Sequence, residues 1–143
     1  MITVKVKGVD AVVRSFDRTC EKIEEALTKG TEDAADHVID CITEKFGRYQ
    51  SGWAHLKPDT IRKKGFDEPL IETSDMMFSF DKKVVAKTRK HVVWITSDDP
   101  KLVHHMYGAP AANVPKRDPV RLTIKEENDA ALEIIKDAVR SIL

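Results

Sequence analysis

An α+β fold is what this sequence predicts: a small, mainly antiparallel sheet packed against a long N-terminal helix and a C-terminal helix, with two long loops. Three observations lead there. Apolar and polar residues alternate in short runs, apolar residues recur every three or four positions over roughly 40 residues after Val9 and again after Thr123, and two glycine- and proline-rich stretches separate these patterns. One domain over residues 1–143 suffices, because a chain of this length with 41% apolar residues can bury roughly two-thirds of its unfolded surface.

Taken in order, Ile2, Val4 and Val6 alternate with Thr3, Lys5 and Lys7, the signature of a half-buried strand, which Gly8 ends. Val12, Phe16, Cys20, Ile23, Leu27, Ala34, Val38, Cys41 and Ile42 then mark one face of a long amphipathic helix. Inside it, Gly30-Thr31-Glu32-Asp33 reads as a C-terminal glycine followed by a fresh N-cap and an acidic first turn, which predicts a break near Gly30. Residues 47–69, punctuated by Gly47, Gly52, Pro58, Gly65 and Pro69, form the first long loop, with a turn or two of helix at residues 59–64. Trp53, Leu56, Ile61, Phe66, Leu70 and Ile71 give it enough apolar surface to be ordered.

Thr73 reads as the N-cap of a short helix through Met76, Met77 and Phe78, with Asp75 near its N-terminus. Two strands follow. Phe80, Val84 and Ala86 share one parity of the first, residues 92–95 are the apolar heart of the second, and residues 87–90 connect them. Asp98-Asp99-Pro100 marks a turn. Residues 108–119, with Gly108, Pro110, Pro115 and Pro119, form the second loop, and residues 120–122 add a short strand. Thr123-Ile124-Lys125-Glu126 is a capping box that opens the terminal helix, whose inner face carries Ala131, Ile134, Ile135, Ala138, Val139 and Ile142.

The 24 basic and 24 acidic side chains cancel, so the bulk charge favours neither nucleic acid nor an anionic membrane as partner. Low net charge also weakens self-repulsion, which suits a chain that packs against its own copies. Residues 1–5 carry no basic leader, and no stretch approaches the roughly 18 apolar residues of a membrane span, so a cytosol-like compartment is expected. Cys20 and Cys41 would lie about 30 Å apart on a continuous helix, which excludes a disulfide and leaves two reduced core thiols.

The sequence offers little catalytic logic. Ser51, Ser74 and Ser79 lack a nucleophile-elbow context, and neither a phosphate-binding loop nor a dinucleotide-binding glycine motif is present. Adjacent His104 and His105 on a strand would face opposite ways, so zinc there would need His91, His55 or Asp98 brought from a distance. His37, Asp40 and Cys41 have helical spacing that could seat a metal, although such residues more often face solvent. Lys57 with Arg62-Lys63-Lys64 beside Trp53 could touch nucleic acid, but four charges in a neutral chain are more often a solvated face or an interface rim. No enzyme, cofactor or metal site and no specific nucleic-acid binding is therefore expected.

What stands out is a series of turn and anchor residues: W-x-x-L-x-x-x-T-x-x-x-K from Trp53 through Leu56 and Thr60 to Lys64, then L-x-x-T-S-x-M-x-x-S from Leu70 through Thr73 to Ser79, then H-x-x-G from His105 to Gly108, and Val114-Pro115-Lys116-Arg117. In order and spacing this series resembles the tail-completion and virion-morphogenesis proteins of tailed bacteriophages, small neck proteins at the head–tail junction. Ser74 stands where glycine is usual, which argues against a positive backbone angle there, and Asp118-Pro119 replaces a proline and an aromatic residue. The resemblance spans nearly the whole chain.

The resemblance implies a structural virion protein, made in the host cytoplasm and placed in the neck or tail. It would act in tail completion or head–tail joining as a ring of six copies contacting neighbouring neck and tail proteins, with no membrane partner. A closing ring needs heterologous contacts, one patch meeting a different patch of the next copy. The candidate interface residues are Trp53, Leu56, Thr60, Lys64, Leu70, Tyr107, Gly108, Pro115 and Arg117. Arg117 is expected to grip a carboxylate on a neighbour, and Trp53 is either an interface anchor or docked on its own core. The other readings are a non-viral oligomeric adaptor and a small metal-dependent enzyme.

Overall fold

The computed structural model describes residues 8–87 and 90–142. The strand expected at residues 2–6 lies outside the described residues, as does part of the connector at residues 87–90. The order of elements is α1 (Val9–Thr43), α2 (Pro58–Lys64), α3 (Asp75–Phe78), β1 (Phe80–Lys87), β2 (Lys90–Ser97), α4 (Lys101–Tyr107), a 3-10 turn (Pro110–Ala112) and α5 (Pro119–Arg140). This is an α+β fold in which a two-stranded antiparallel sheet and α5 both pack on the long first helix.

α1 is one unbroken helix of 35 residues, so the break expected at Gly30 does not occur. Gly30 is buried under α5, and a Cβ built there would lie 2.8 Å from the Ala138 Cβ and 3.1 Å from the Ile135 Cα. The glycine is needed for close helix approach. Thr31, read as a cap, instead donates its hydroxyl to the Leu27 carbonyl one turn back, and Ala34 and Ala35 continue the small-residue seam. Cys20 is exposed and Cys41 half-buried, both as free thiols, so neither is a core cysteine in the expected sense.

α5 begins four residues before the expected capping box. Asp118 is its N-cap, accepting from the Arg121 amide at 3.0 Å, and Pro119 fills the first position, where its missing N–H costs nothing. Residues 120–122 are therefore helical and add no strand. Thr123 is fully buried and donates to the Pro119 carbonyl, while Glu126 reaches Lys45 on α1 instead of folding back.

The hairpin runs from Phe80 paired with Ser97 to Lys87 paired with Lys90. One face lies on α1: Lys82 bonds Asp36, the His91 Nδ1 meets the Thr28 hydroxyl at 2.9 Å, and Val93 and Ile95 are half-buried. The opposite face carries Lys83, Val85, Val92 and Trp94, so the apolar run read as a strand heart is divided between an inner and an outer surface.

The main core forms where the C-terminal end of α1 meets the loops. Ile42, Phe46, Leu70, Met76 and Leu102 are buried there, with Val38, Trp53, Phe80, Met106 and Val120 packed around them. Phe46 and Phe80 meet edge to face at 6.2 Å. Just beyond Leu70, Ser74 takes a φ of +65° in the turn that starts α3, so the positive backbone angle that the serine argued against is present and the serine adopts it itself. Thr73 bonds the Asp75 side chain rather than capping.

Two stability outcomes follow. Gly30→Ala forces a methyl group into the α1–α5 seam and should cost about 1–2 kcal/mol after any gain in helix propensity, lowering Tm by roughly 3–8 °C; an unchanged or raised Tm would refute the close-approach account. Ser74→Gly relieves a left-handed serine worth about 1 kcal/mol and should raise Tm by about 3 °C in the same thermal melts.

Candidate functional site

The two loops enclose one groove of about 940 Å³. The first loop and α2 form one wall, and α4 with the segment after Gly108 forms the other. Eight of the nine sequence candidates line it, namely Leu56, Thr60, Lys64, Leu70, Tyr107, Gly108, Pro115 and Arg117. Trp53 is apart from them, half-buried and packed against the core, which is the self-docked reading of that residue.

Arg117 joins the walls. Its backbone amide donates to the His105 carbonyl at 2.8 Å, its Nε and Nη2 donate to the Ala54 carbonyl at 2.9 and 2.7 Å, and Nη2 also reaches the His55 carbonyl at 3.3 Å. At 3% exposure the guanidinium is engaged inside its own chain, which corrects the expectation that it grips a carboxylate on a neighbour. Two loop carbonyls supply the acceptors that a carboxylate was expected to supply.

The walls are stiffened locally. Tyr49 donates to the Asp67 carboxylate and accepts from the Leu56 amide, and its ring lies 4.3 Å from that of His55. Lys64 donates to the Glu68 carbonyl and lies over the Phe66 ring at 4.7 Å, and partial burial lowers its pKa. Gly108 has a φ of +80°, and a Cβ there would stand 3.3 Å from the Lys116 amide, so glycine permits the wall to fold back on itself. Tyr107 is exposed beneath the Arg121 guanidinium, 4.8 Å from its ring.

The groove has a cationic rim. Lys57, Lys63, Lys101 and Lys116 line it with Lys64 and Arg117, against the acids Glu72 and Asp99, and Lys101 is paired with Glu72 at 3.2 Å. His104 and His105 sit on helix α4, so the opposite-facing geometry they would have on a strand does not apply. Among the described residues the His105 Nδ1 is buried without a hydrogen-bond partner. Sequence reasoning missed Tyr49, and it held His105 only as the first residue of H-x-x-G and as a distant metal candidate.

Burial, with the nearby Arg117 and His104 charges, holds the His105 pKa below the ordinary histidine value of 6.5, while Asp99 opposes the shift. The unfolded chain then binds a proton more readily than the folded one. The stability that neutral His105 contributes is complete above about pH 6.5 and is lost as pH falls through the depressed folded value. His105→Gln should flatten the acid-side slope of stability in urea melts between about pH 7 and pH 5; a slope equal to that of the parent protein would remove His105 from the account.

No protein-family model, curated protein or solved structure matches this chain.

Proposed function

We propose that this chain is a structural subunit of a tailed-bacteriophage virion, acting in tail completion or head–tail joining as one copy of a closed ring at the neck. The order and spacing of the turn motifs suggest the phage setting. The observation that carries the assembly reading is the bare N-terminal part of α1. Every residue from 8 to 22 is exposed, so about 20 Å of helix extends beyond its contacts with the described residues of the hairpin and α5.

A lone helix of that length is marginal in water, and this one exposes Val9, Val12, Val13 and Phe16, the last at 68%. Such a stripe on an arm is a docking surface. The hairpin's outer face offers a complement, with Trp94 at 60% exposure on the same face as Val92, Lys83 and Lys90. Lys83 and Lys90 stand on that face against one acid, Asp81, whereas residues 9–26 contain five acidic side chains and three basic.

An arm lying on the outer hairpin face of the next copy is a heterologous contact, the kind that closes into a ring. Antiparallel pairing of two arms is less suitable. Aligning the apolar positions Val9, Val13, Phe16, Cys20, Ile23 and Leu27 about their midpoint would bring Asp17 beside Asp17 and Asp10 beside Glu24 of the other copy. The cationic groove remains open in such a ring for an acidic element of an adjoining neck or tail protein.

Electron microscopy of lysates from a phage or prophage lacking this gene is the direct test. DNA-filled heads beside unattached or abnormally long tails are expected, and normal infectious particles would sink the virion reading. Complementation with Phe16→Glu should reproduce the deletion phenotype, while the purified variant melts within about 0.5 kcal/mol of the parent because position 16 is exposed. Full rescue by Phe16→Glu would eliminate the arm contact and leave the phage assignment standing.

A further inference from the structure

His37 and Cys41 are one helical turn apart on α1 and present their side chains on the same side. α5 runs antiparallel across that side and brings in Glu127, a residue 90 positions away from His37. The His37 Nε2 lies 2.9 Å from the Glu127 Oε2 and 3.7 Å from the Cys41 Sγ, and the three donor atoms all fall within 4.8 Å of one another. Asp40, grouped with these residues on spacing alone, is not among them. The three are half-buried at the α1–α5 seam.

One proton on Nε2 cannot serve both of its neighbours. Nε2 is approached by both the sulfur and the carboxylate, yet it carries at most one hydrogen. With that hydrogen it donates to Glu127 and cannot accept from the thiol. Without it, its single lone pair accepts from the thiol and no hydrogen lies between it and the carboxylate. Three electron-rich atoms thus converge on one point, and a cation there would serve all of them.

We infer that His37, Cys41 and Glu127 form a binding site for a zinc-class divalent cation that fastens α5 to α1. The reading does not rest on ring assembly or on the virion assignment. A mixed nitrogen, sulfur and oxygen set selects zinc or its cobalt surrogate over magnesium and calcium, which prefer oxygen alone. Tetrahedral zinc with ordinary bond lengths holds such donors about 3.3–3.6 Å apart, so shifts of roughly an ångström close the site. Cys41 binds as the thiolate and gives its proton to solvent, and partial exposure leaves the fourth position to water.

The test uses the full chain without an affinity tag, stripped of metal and titrated with cobalt(II). One equivalent should produce a thiolate-to-cobalt charge-transfer band with tetrahedral ligand-field absorption. The band should vanish in Cys41→Ser and persist in Cys20→Ser. Zinc at a few equivalents should raise the parent's Tm by about 5 °C or more, while magnesium leaves it unchanged. Glu127→Gln, which keeps a hydrogen-bonding partner for His37, should melt close to the metal-free parent and lose at least tenfold in cobalt affinity. Absence of the charge-transfer band in the parent protein overturns the site, whatever the variants do, as does a band that survives in Cys41→Ser.

Discussion

The approach of α5 to α1 at Gly30 is the constraint on which the other arrangements depend. Only a residue without a Cβ lets the Ile135 backbone and Ala138 come so near. With that spacing fixed, Glu126 reaches Lys45, Glu127 reaches His37, and the buried start of α5 is set down beside the loops. Since Arg117 and Asp118 immediately precede α5, the helix seam also determines where the groove's central tie is delivered. A packing contact on the far side of the molecule thereby governs the geometry of the candidate site.

The groove is built by a different means. Its two walls hold few regular elements, and their shape comes from polar side chains that satisfy loop backbone: Arg117 on Ala54 and His55, Tyr49 on Leu56, and Lys64 on Glu68. Loops of this length stay ordered when their backbone groups find such partners and when Leu70 and Trp53 anchor them to apolar neighbours. The price is that the strongest hydrogen-bonding cation in the groove faces inward, which leaves the flexible lysines of the rim to meet whatever docks there.

Much of this was legible in the amino-acid sequence, and the failures have identifiable causes. Both long helices and the hairpin follow from apolar period, and motif order alone gathered eight residues that line one groove. Glycine misled at position 30 because a helix stop and a close helix contact use the same residue. The start of α5 was read late because Val120 and Leu122 mimic a strand, although Asp118-Pro119 is an N-cap followed by a first-position proline. The inward turn of Arg117, the neighbours of His105 and the meeting of Glu127 with His37 depend on residues far apart in the chain, and a period of 3.6 or 2 carries no information about those.

The unbroken α1 also has a mechanical meaning. A rod about 52 Å long that is bare at one end and embedded at the other transmits a pull on Val9 along its own axis. Because α5 lies antiparallel alongside the embedded part, that pull loads the seam in shear, with the Gly30, His37 and Lys45 contacts resisting together instead of peeling apart in turn. A hinge at Gly30 would have converted the same tension into bending and opened the seam from one end. Continuity of the helix therefore makes the chain stiff along the axis of its exposed arm.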